Sequence, residues 1–203
     1  MMKRALVSCA AVALLALAFS PTVRAADEMK TAKLGETAPQ FTLQDQNGKD
    51  VSLADFTGKT VVLEWTNPNC PYVQRHYREG TMTKLQSAYK DKGVVWLAIN
   101  SSHDADNAFN KQWAEKNKLD YPILNDSAGK VGHAYNAKTT PDMFIIDKDG
   151  KLVYEGAIDN VPEGDMGSSR INYVEKALDD VLAARPVVTA ETKSYGCSVK
   201  YAH

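Results

Sequence analysis

The chain has 203 residues, of which 44% are hydrophobic and 24% are charged, and its formal net charge is −1. This length suits one domain with a substantial core, and the composition excludes a disordered or fibrous protein. No run of lysine and arginine suggests a nucleic-acid partner, because such binding needs a clustered positive surface.

Residues 1–25 have the layout of a secretory signal peptide. Two basic residues precede an apolar run at residues 5–19, and small residues follow. The alternative is an uncleaved membrane anchor, but this run is shorter than the roughly 20 residues that a spanning helix needs. We therefore predict an exported, periplasmic protein without stable membrane association. Cleavage would leave about 21 basic and 25 acidic residues, and two cysteines, Cys70 and Cys197.

The remaining chain is predicted to form a domain at residues 26–185 and a tail at residues 186–203. The domain begins with a short hairpin, whose turn signal is Asn47-Gly48. Two nearly continuous apolar runs, TVVLEW and GVVWLAINS, are typical of strands buried on both faces of a sheet. The predicted helices are residues 71–90, with a disturbance near Gly80, residues 104–118 and residues 171–184.

The second half of the domain adds shorter elements. Residues 121–126 indicate a short strand or loop, residues 129–137 a brief helix, and residues 139–158 two strands joined by a turn. A βαβ unit followed by a ββα unit predicts an α/β fold, with a central mixed β-sheet flanked by helices on both faces. The tail has no clear periodicity.

Cys70 follows the carboxyl end of the first buried strand, where α/β sheets place their reactive groups. Pro71 suits the first helical position, because a missing N–H costs nothing there, and Cys70 then becomes the N-cap. Its sulfur would face the free N–H groups of Tyr72 and Val73 and the positive end of the helix, which favour the thiolate. We predict a lowered pKa for Cys70. The alternative is a buried, inert cysteine.

Three stretches carry a resemblance to a known family: residues 38–65, the NPNCPY loop at residues 67–72, and residues 139–159. Together they resemble the thioredoxin superfamily, and within it the redoxin branch, which includes peroxiredoxins of the alkyl hydroperoxide reductase and thiol-specific antioxidant type. The tail sequence GCSVKY is similar to that of exported peroxiredoxin-like proteins. The resemblance implies a thioredoxin-like fold with an N-terminal hairpin and an extended C-terminal tail, and a thiol-based oxidoreductase with antioxidant activity.

The sequence departs from both main patterns of that superfamily. Peroxiredoxins carry a proline seven residues, and a threonine or serine three residues, before their reactive cysteine, where this chain has Leu63 and Asn67. They also supply an arginine from the region that here contains Thr140 and Pro141. A Cys-x-x-Cys motif ending at Cys70 would need a cysteine at Asn67. These departures favour thiol-disulfide chemistry over peroxide reduction.

Four further residues are candidates for supporting roles around Cys70. Asn67 has two amide donors that could serve a thiolate or a peroxide oxygen, or it could be a turn residue. Thr140 and Pro141 resemble the cis-proline loop that faces the active cysteine in thioredoxin folds. Glu64 lies inside an apolar strand, where a carboxylate needs a purpose or a partner. It is interpreted as paired to a lysine or arginine, or as a proton acceptor near Cys70.

Cys197 is the candidate second sulfur. The 12 residues after Arg185 can span about 40 Å, whereas a compact chain of this size has a radius of gyration of about 16 Å. The tail can therefore reach Cys70, although reach alone does not establish a bond. The alternatives are a resolving thiol, a permanent structural disulfide worth up to about 5 kcal/mol, and a free or intermolecular thiol.

No metal or organic cofactor is predicted. The Cys-x-x-x-Cys pattern of exported copper chaperones fails at Gln74. No phosphate-cradling glycine loop is present. The histidines have no ligand spacing and are interpreted as surface or capping residues; they are His76, His103, His133 and His203.

Two hypotheses follow for the function. The first is an exported thiol-disulfide oxidoreductase in which Cys70 attacks a peroxide or a protein or small-molecule disulfide, Cys197 resolves the product, and an unidentified thiol restores the dithiol. The second is a non-catalytic thioredoxin-fold module that binds a partner chain or a metal and uses its cysteines for structure.

Overall fold

The computed structural model describes residues 30–164 and 169–202. The predicted signal peptide, residues 1–25, lies outside these residues. Within them, no helix combines the length and the apolar character that crossing a membrane requires. The strands are β1 Thr42–Gln44, β2 Asp50–Ser52, β3 Thr60–Trp65, β4 Val94–Asn100, β5 Ile123–Asn125, β6 Thr139–Thr140, β7 Asp142–Ile146, β8 Leu152–Gly156 and β9 Cys197–Ser198. The α-helices are α1 Pro71–Arg78, α2 Thr81–Lys90, α3 Asn107–Asn117, α4 Lys130–Ala134 and α5 Tyr173–Leu182.

Seven strands form one sheet in the order β2-β1-β5-β4-β3-β7-β8. Strand β3 pairs in parallel with β4, and β4 with β5, whereas β7 pairs antiparallel with both β3 and β8. The hairpin β1-β2 joins through an antiparallel contact between β1 and β5. The mixed sheet and the hairpin are confirmed, and β3 spans the predicted TVVLEW run.

Helices cover both faces of the sheet, as predicted. Side chains of a strand alternate between the two faces, so Val62 of β3 joins a core cluster with α1, α2, α3 and α5. Its neighbours Val61 and Leu63 join the opposite cluster, which contains α4 and the segment before β1. Every residue of β3 is buried. The central strand is therefore rigid where it ends, five residues before Cys70.

The predicted disturbance of the first helix is a complete break at Gly80. This glycine has φ 72°, a left-handed conformation that is costly for residues with a Cβ. Helix α1 therefore ends at Arg78, and α2 begins at Thr81.

The tail returns across the molecule as an extended segment. Thr192 donates its N–H to the carbonyl of Glu155 at 3.1 Å. Further on, β9 pairs antiparallel with β6, with Cys197 opposite Thr140. Two glycines allow the close approach, because a Cβ at Gly156 would overlap Thr192, and one at Gly196 would overlap the Thr140 carbonyl. The tail thus forms a strap over the face that carries Cys70.

Candidate active site

Cys70 occupies the N-cap of α1, with φ −79° and ψ 122°, and Pro71 begins the helix. Both positions were predicted from the Cys-Pro pair. In its thiol form the sulfur donates to the Thr140 carbonyl at 2.9 Å. The Cys70 residue is only 2% exposed. The candidate nucleophile therefore lies between the start of a helix and the loop before β7, under the tail.

The pKa of Cys70 is lowered from its ordinary value of 9.0. Burial raises this pKa, but interactions with the Thr140 side chain, the Val73 N–H and Cys197 outweigh burial. Donors that face a sulfur stabilise its negative form. The sequence-based prediction of a lowered pKa is confirmed in direction, with Thr140 and Cys197 adding to the helix terminus.

Cys197 is brought to the same place by the pairing of β9 with β6. Both cysteines in the described part of the chain are free thiols. The pKa of Cys197 is raised to about 11 by burial, by its hydrogen bond to Cys70 and by the Cys70 charge. The two pKa values therefore move apart, so that Cys70 ionises more readily than Cys197, and the Cys197 thiol can donate a hydrogen bond to the Cys70 sulfur.

The second sulfur comes from a distant part of the chain, because neither Cys-x-x-Cys position next to Cys70 holds a cysteine. A Cys-x-x-Cys motif beginning at Cys70 would place its second cysteine at position 73, which is Val73, and one ending at Cys70 would start at Asn67. The tail therefore supplies Cys197 from the opposite end of the chain. Because Cys197 lies on the tail, a displacement of the tail alone would separate the two sulfurs.

The loop before β7 has the predicted geometry. The peptide bond between Thr140 and Pro141 is cis, as the resemblance implied. The Thr140 hydroxyl is buried and closes no hydrogen bond with the residues described, although its side chain is close enough to Cys70 to lower the pKa of that thiol. Thr140 therefore faces both sulfurs, with its carbonyl and hydroxyl toward Cys70 and its backbone paired to Cys197.

Asn67 shapes the loop that leads to Cys70. Its Oδ1 accepts from the Asn69 N–H at 2.8 Å, and its Nδ2 donates to Ser102 Oγ at 2.8 Å. The Asn67 carbonyl accepts the Cys70 N–H at 2.9 Å. Of the two roles that the sequence left open, these bonds favour the turn role.

Glu64 is fully buried, but its partners are neutral. Its Oε1 accepts from the Tyr77 hydroxyl at 3.0 Å, and its Oε2 accepts from Trp96 Nε1 at 2.9 Å. The predicted pairing to a lysine or arginine is wrong, because apolar and aromatic side chains enclose this carboxyl. Burial raises its pKa to about 7 against the hydrogen bonds from Trp96 and Tyr77. Both of its oxygens point to aromatic donors, and no hydrogen bond joins Glu64 to Cys70 among the residues described.

A polar cluster beside the cysteines was missed from the sequence. It joins Tyr195 of the tail to Asp159, His76 and Arg170. The interpretation of His76 as a surface or capping residue is wrong, because it is 0% exposed, and burial lowers its pKa to about 4. The one sequence signal for this cluster is Tyr195, which lies two residues before Cys197. Within residues 30–164 and 169–202, no group of three or more His, Cys, Asp or Glu side chains is arranged to hold a metal ion.

Comparison with known proteins agrees with this geometry. The sequence matches the Redoxin family over residues 33–172. It is 32% identical over 123 residues to thiol-disulfide oxidoreductase ResA of Bacillus thuringiensis subsp. konkukian, covering 61% of this chain and 69% of that protein. It is 34% identical over 125 residues to ResA of Geobacillus thermodenitrificans, covering 62% and 70%.

A solved structure extends the similarity to most of the chain. An uncharacterized conserved protein from Geobacillus kaustophilus has a TM-score of 0.75 and 32% identity, covering 86% of this chain and 95% of that one. The fold, the cis-proline loop and the family match agree, and the family match spans more than half of the chain. The protein therefore belongs to the redoxin family, within the thioredoxin superfamily.

Proposed function

We propose that this protein is a thiol-disulfide oxidoreductase in which Cys70 is the nucleophile and Cys197 is the resolving thiol. The observation that carries the proposal is the meeting of the two cysteines at Thr140, which lies opposite Cys197 in the β6-β9 pair and whose carbonyl accepts from the Cys70 thiol at 2.9 Å. The direction of the pKa shifts, lowered at Cys70 and raised to about 11 at Cys197, supports it. Thiolate is the reactive form of cysteine, so the pair has one sulfur that attacks and one that holds a proton. The ResA relatives, which are named as thiol-disulfide oxidoreductases, support the same activity.

The reaction begins when the Cys70 thiolate attacks one sulfur of a substrate disulfide. A bond forms between Cys70 Sγ and that sulfur, the substrate S–S bond breaks, and the other sulfur leaves as a thiolate. Cys197 then loses its proton to the leaving thiolate or to water, and attacks Cys70 Sγ. The second substrate sulfur leaves, and a Cys70-Cys197 disulfide remains. Two electrons pass to the substrate, and an external thiol must return them to the protein.

A peroxide would use the same two sulfurs. Cys70 would attack an oxygen of the O–O bond to give a sulfenic acid and an alcohol or water, and Cys197 would condense with the sulfenic acid to give the disulfide and water. Among the residues described, no arginine donates a hydrogen bond to Cys70, and Arg75 donates to backbone carbonyls and to Tyr195 instead. This environment favours disulfides over peroxides as substrates.

The strap has to move for a substrate to react. Cys70 is 2% exposed, and β9 already occupies the edge of β6. A disulfide can reach Cys70 only when the segment around Cys197 lifts away. We propose that the tail, residues 186–203, is the moving part and that residues 26–185 are the fixed domain.

The layout of residues 1–25 supports an exported, periplasmic location. In that compartment the dithiol would meet disulfide substrates and a dedicated thiol reductant.

The alternative function, a binding module with structural cysteines, requires that the sulfurs take no part in turnover. Single-turnover kinetics separate the oxidoreductase from the binding module.

The test is single-turnover kinetics of the reduced mature protein with oxidised glutathione or with hydrogen peroxide, in separate reactions. We expect faster oxidation by the disulfide, and trapping of a mixed disulfide at Cys70 in a Cys197→Ala variant. A Cys70→Ser variant, which keeps the Cys197 thiol, serves as the control and should react much more slowly. Oxidation by peroxide at least as fast as by the disulfide would make the protein a thiol peroxidase. Equal, slow oxidation of the wild type and the Cys70→Ser variant would favour the binding module.

A further inference from the structure

Tyr195 links the tail to a buried carboxylate beside the two cysteines. Its hydroxyl donates to Asp159 Oδ1, and Asp159 is only 1% exposed. The other oxygen of Asp159 accepts from Arg170 Nε at 2.7 Å, and the Val161 N–H donates to Oδ1 at 2.9 Å. A buried carboxylate held by a guanidinium and a backbone N–H is a fixed acceptor. Tyr195 therefore has a defined position in the docked tail.

Hydrogen-bond donors also face the hydroxyl oxygen of Tyr195, so this oxygen accepts as well as donates. His76 Nε2 lies 3.0 Å from the Tyr195 hydroxyl, and Arg170 lies 3.4 Å from His76 Nδ1. Arg75 Nη2 donates to the Tyr195 hydroxyl at 3.4 Å and also lies 3.2 Å from His76 Nε2, so a guanidinium supplies a donor on this side of the hydroxyl. The ring of Tyr195 also packs on Tyr72, with centroids 6.0 Å apart.

The spacing of Tyr195 and Cys197 couples this anchor to the redox pair. Only Gly196 separates the two residues, and it passes so close to the Thr140 carbonyl that no Cβ would fit there. The segment therefore has little freedom between the tyrosine and the cysteine. Fixing the hydroxyl of Tyr195 fixes where the sulfur of Cys197 can lie.

We propose that Tyr195 is a positioning residue that holds Cys197 against Cys70 through its hydrogen bond to Asp159. The proposal rests on the proposed function of the two cysteines as a redox pair. Tyr195 does not touch a substrate; it raises the local concentration of the resolving thiol at Cys70 and keeps the Cys197 proton directed at the Cys70 sulfur.

Loss of the Tyr195 hydrogen bond should change two measurable quantities, the disulfide–dithiol equilibrium and the pKa of Cys70. Loosening the tail adds conformations to the dithiol form, whereas the disulfide form stays tied by its covalent bond. The equilibrium between the Cys70-Cys197 disulfide and the dithiol should therefore shift toward the dithiol in a Tyr195→Phe variant. We expect about a tenfold shift, in the range that loss of one charge-assisted hydrogen bond produces. The pKa of Cys70 should also rise, because the Cys197 thiol would donate to it less often.

The chain offers a matched control. Tyr89 Oη donates to Asp179 Oδ1 at 2.6 Å, joining α2 to α5, so Tyr89→Phe also removes a tyrosine-aspartate hydrogen bond but touches neither cysteine. The far end of the tail is held separately, since Tyr201 stacks on His133 with centroids 4.1 Å apart. Tyr195→Phe therefore leaves the tail attached and keeps the aromatic ring.

The experiment measures wild type, Tyr195→Phe and Tyr89→Phe as full mature proteins. The fraction of Cys70-Cys197 disulfide is titrated against ratios of reduced to oxidised glutathione and read by intact mass after acid quenching and alkylation. The pH dependence of Cys70 alkylation is read by peptide mass. We expect about a tenfold fall in the disulfide equilibrium constant and a higher pH midpoint for Tyr195→Phe, with both quantities unchanged within twofold for Tyr89→Phe.

Three results would overturn the proposal in distinguishable ways. If wild type forms the Cys70-Cys197 disulfide, and Tyr195→Phe matches it in both measurements, Tyr195 has no positioning role and the proposed function stands. If wild type forms no such disulfide at any glutathione ratio, the proposed function itself fails, and this inference fails with it. An equal effect of Tyr89→Phe would show that the shift reflects general destabilisation, which also overturns the proposal.

Discussion

The buried carboxyl of Glu64 makes the stability of this protein depend on pH. Glu64 is 0% exposed near the end of β3, and its two oxygens accept from Tyr77 and Trp96. Burial raises its pKa from 4.5 to about 7. The folded protein therefore binds this proton more tightly than the unfolded chain does.

The sign and the size of the effect follow from linkage. Because the folded pKa lies above the unfolded one, the stabilising contribution of the proton on Glu64 is complete below about pH 4.5 and is lost as the pH rises through about 7. A difference of that size corresponds to about 3 kcal/mol in total, and to about 2.5 kcal/mol between about pH 5 and about pH 8.5. The contribution of Glu64 to the stability of the folded state is therefore smallest when its carboxylate is charged.

The assay is urea unfolding of wild type and Glu64→Gln at these two pH values. Glutamine cannot ionise, and its amide disturbs the Trp96 contact equally at both pH values. We expect the stability of the variant relative to wild type to improve by about 2.5 kcal/mol from about pH 5 to about pH 8.5. Other titrating groups cancel in this comparison. A relative stability that stays constant within about 0.5 kcal/mol would mean that Glu64 ionises in the fold as easily as in the unfolded chain, contrary to this expectation.

Three further substitutions probe the redox pair and the strap. In Cys197→Ala, the mixed disulfide at Cys70 should live about a hundredfold longer, because no neighbouring thiol resolves it; quenched-flow mass spectrometry measures this lifetime. In Gly132→Ala, the new Cβ would overlap the ring and hydroxyl of Tyr201, so we expect a stability loss of about 1–3 kcal/mol in urea unfolding, and faster alkylation of Cys197. In Thr140→Val, loss of a hydroxyl that favours the thiolate should raise the pKa of Cys70, measured by the pH profile of alkylation, while stability changes by less than about 1 kcal/mol.

Each of these expectations has a clear contrary result. Rapid decay of the mixed disulfide in Cys197→Ala would mean that another group resolves it. Unchanged stability of Gly132→Ala would mean that Tyr201 does not lie on α4. An unshifted alkylation profile in Thr140→Val would remove the Thr140 hydroxyl from the causes of the lowered pKa, and a Thr140→Ser variant, which keeps the hydroxyl, serves as its control.

Local patterns in the sequence predicted the scaffold well. The apolar run at residues 60–65 became β3 with the same bounds, because a strand buried on both faces tolerates few polar residues. The pair Cys70-Pro71 fixed the start of α1, since proline suits the first turn and little else in a helix. Gly80 marked the break that separates α1 from α2.

The parts that depend on distant partners could not be predicted in the same way. The carboxyl of Glu64 was expected to have a cationic partner, but Trp96 lies one strand away and Tyr77 lies on α1, and no local spacing links them to Glu64. His76 was placed on the surface because its helix pattern does not show that Tyr195 covers it. The tail has no periodicity of its own, because it is held by isolated anchors along an existing surface.

The central claim is that Cys70 and Cys197 form a redox pair. The most direct measurement is the intact mass and disulfide map of the reduced mature protein after one equivalent of a small disulfide, with Cys70→Ser and Cys197→Ala in parallel. The account predicts a loss of two hydrogens in wild type, mapped to a Cys70-Cys197 bond, a trapped adduct at Cys70 in Cys197→Ala, and no adduct of comparable rate in Cys70→Ser. A stable adduct at Cys70 in wild type, with Cys197 remaining free, would contradict it.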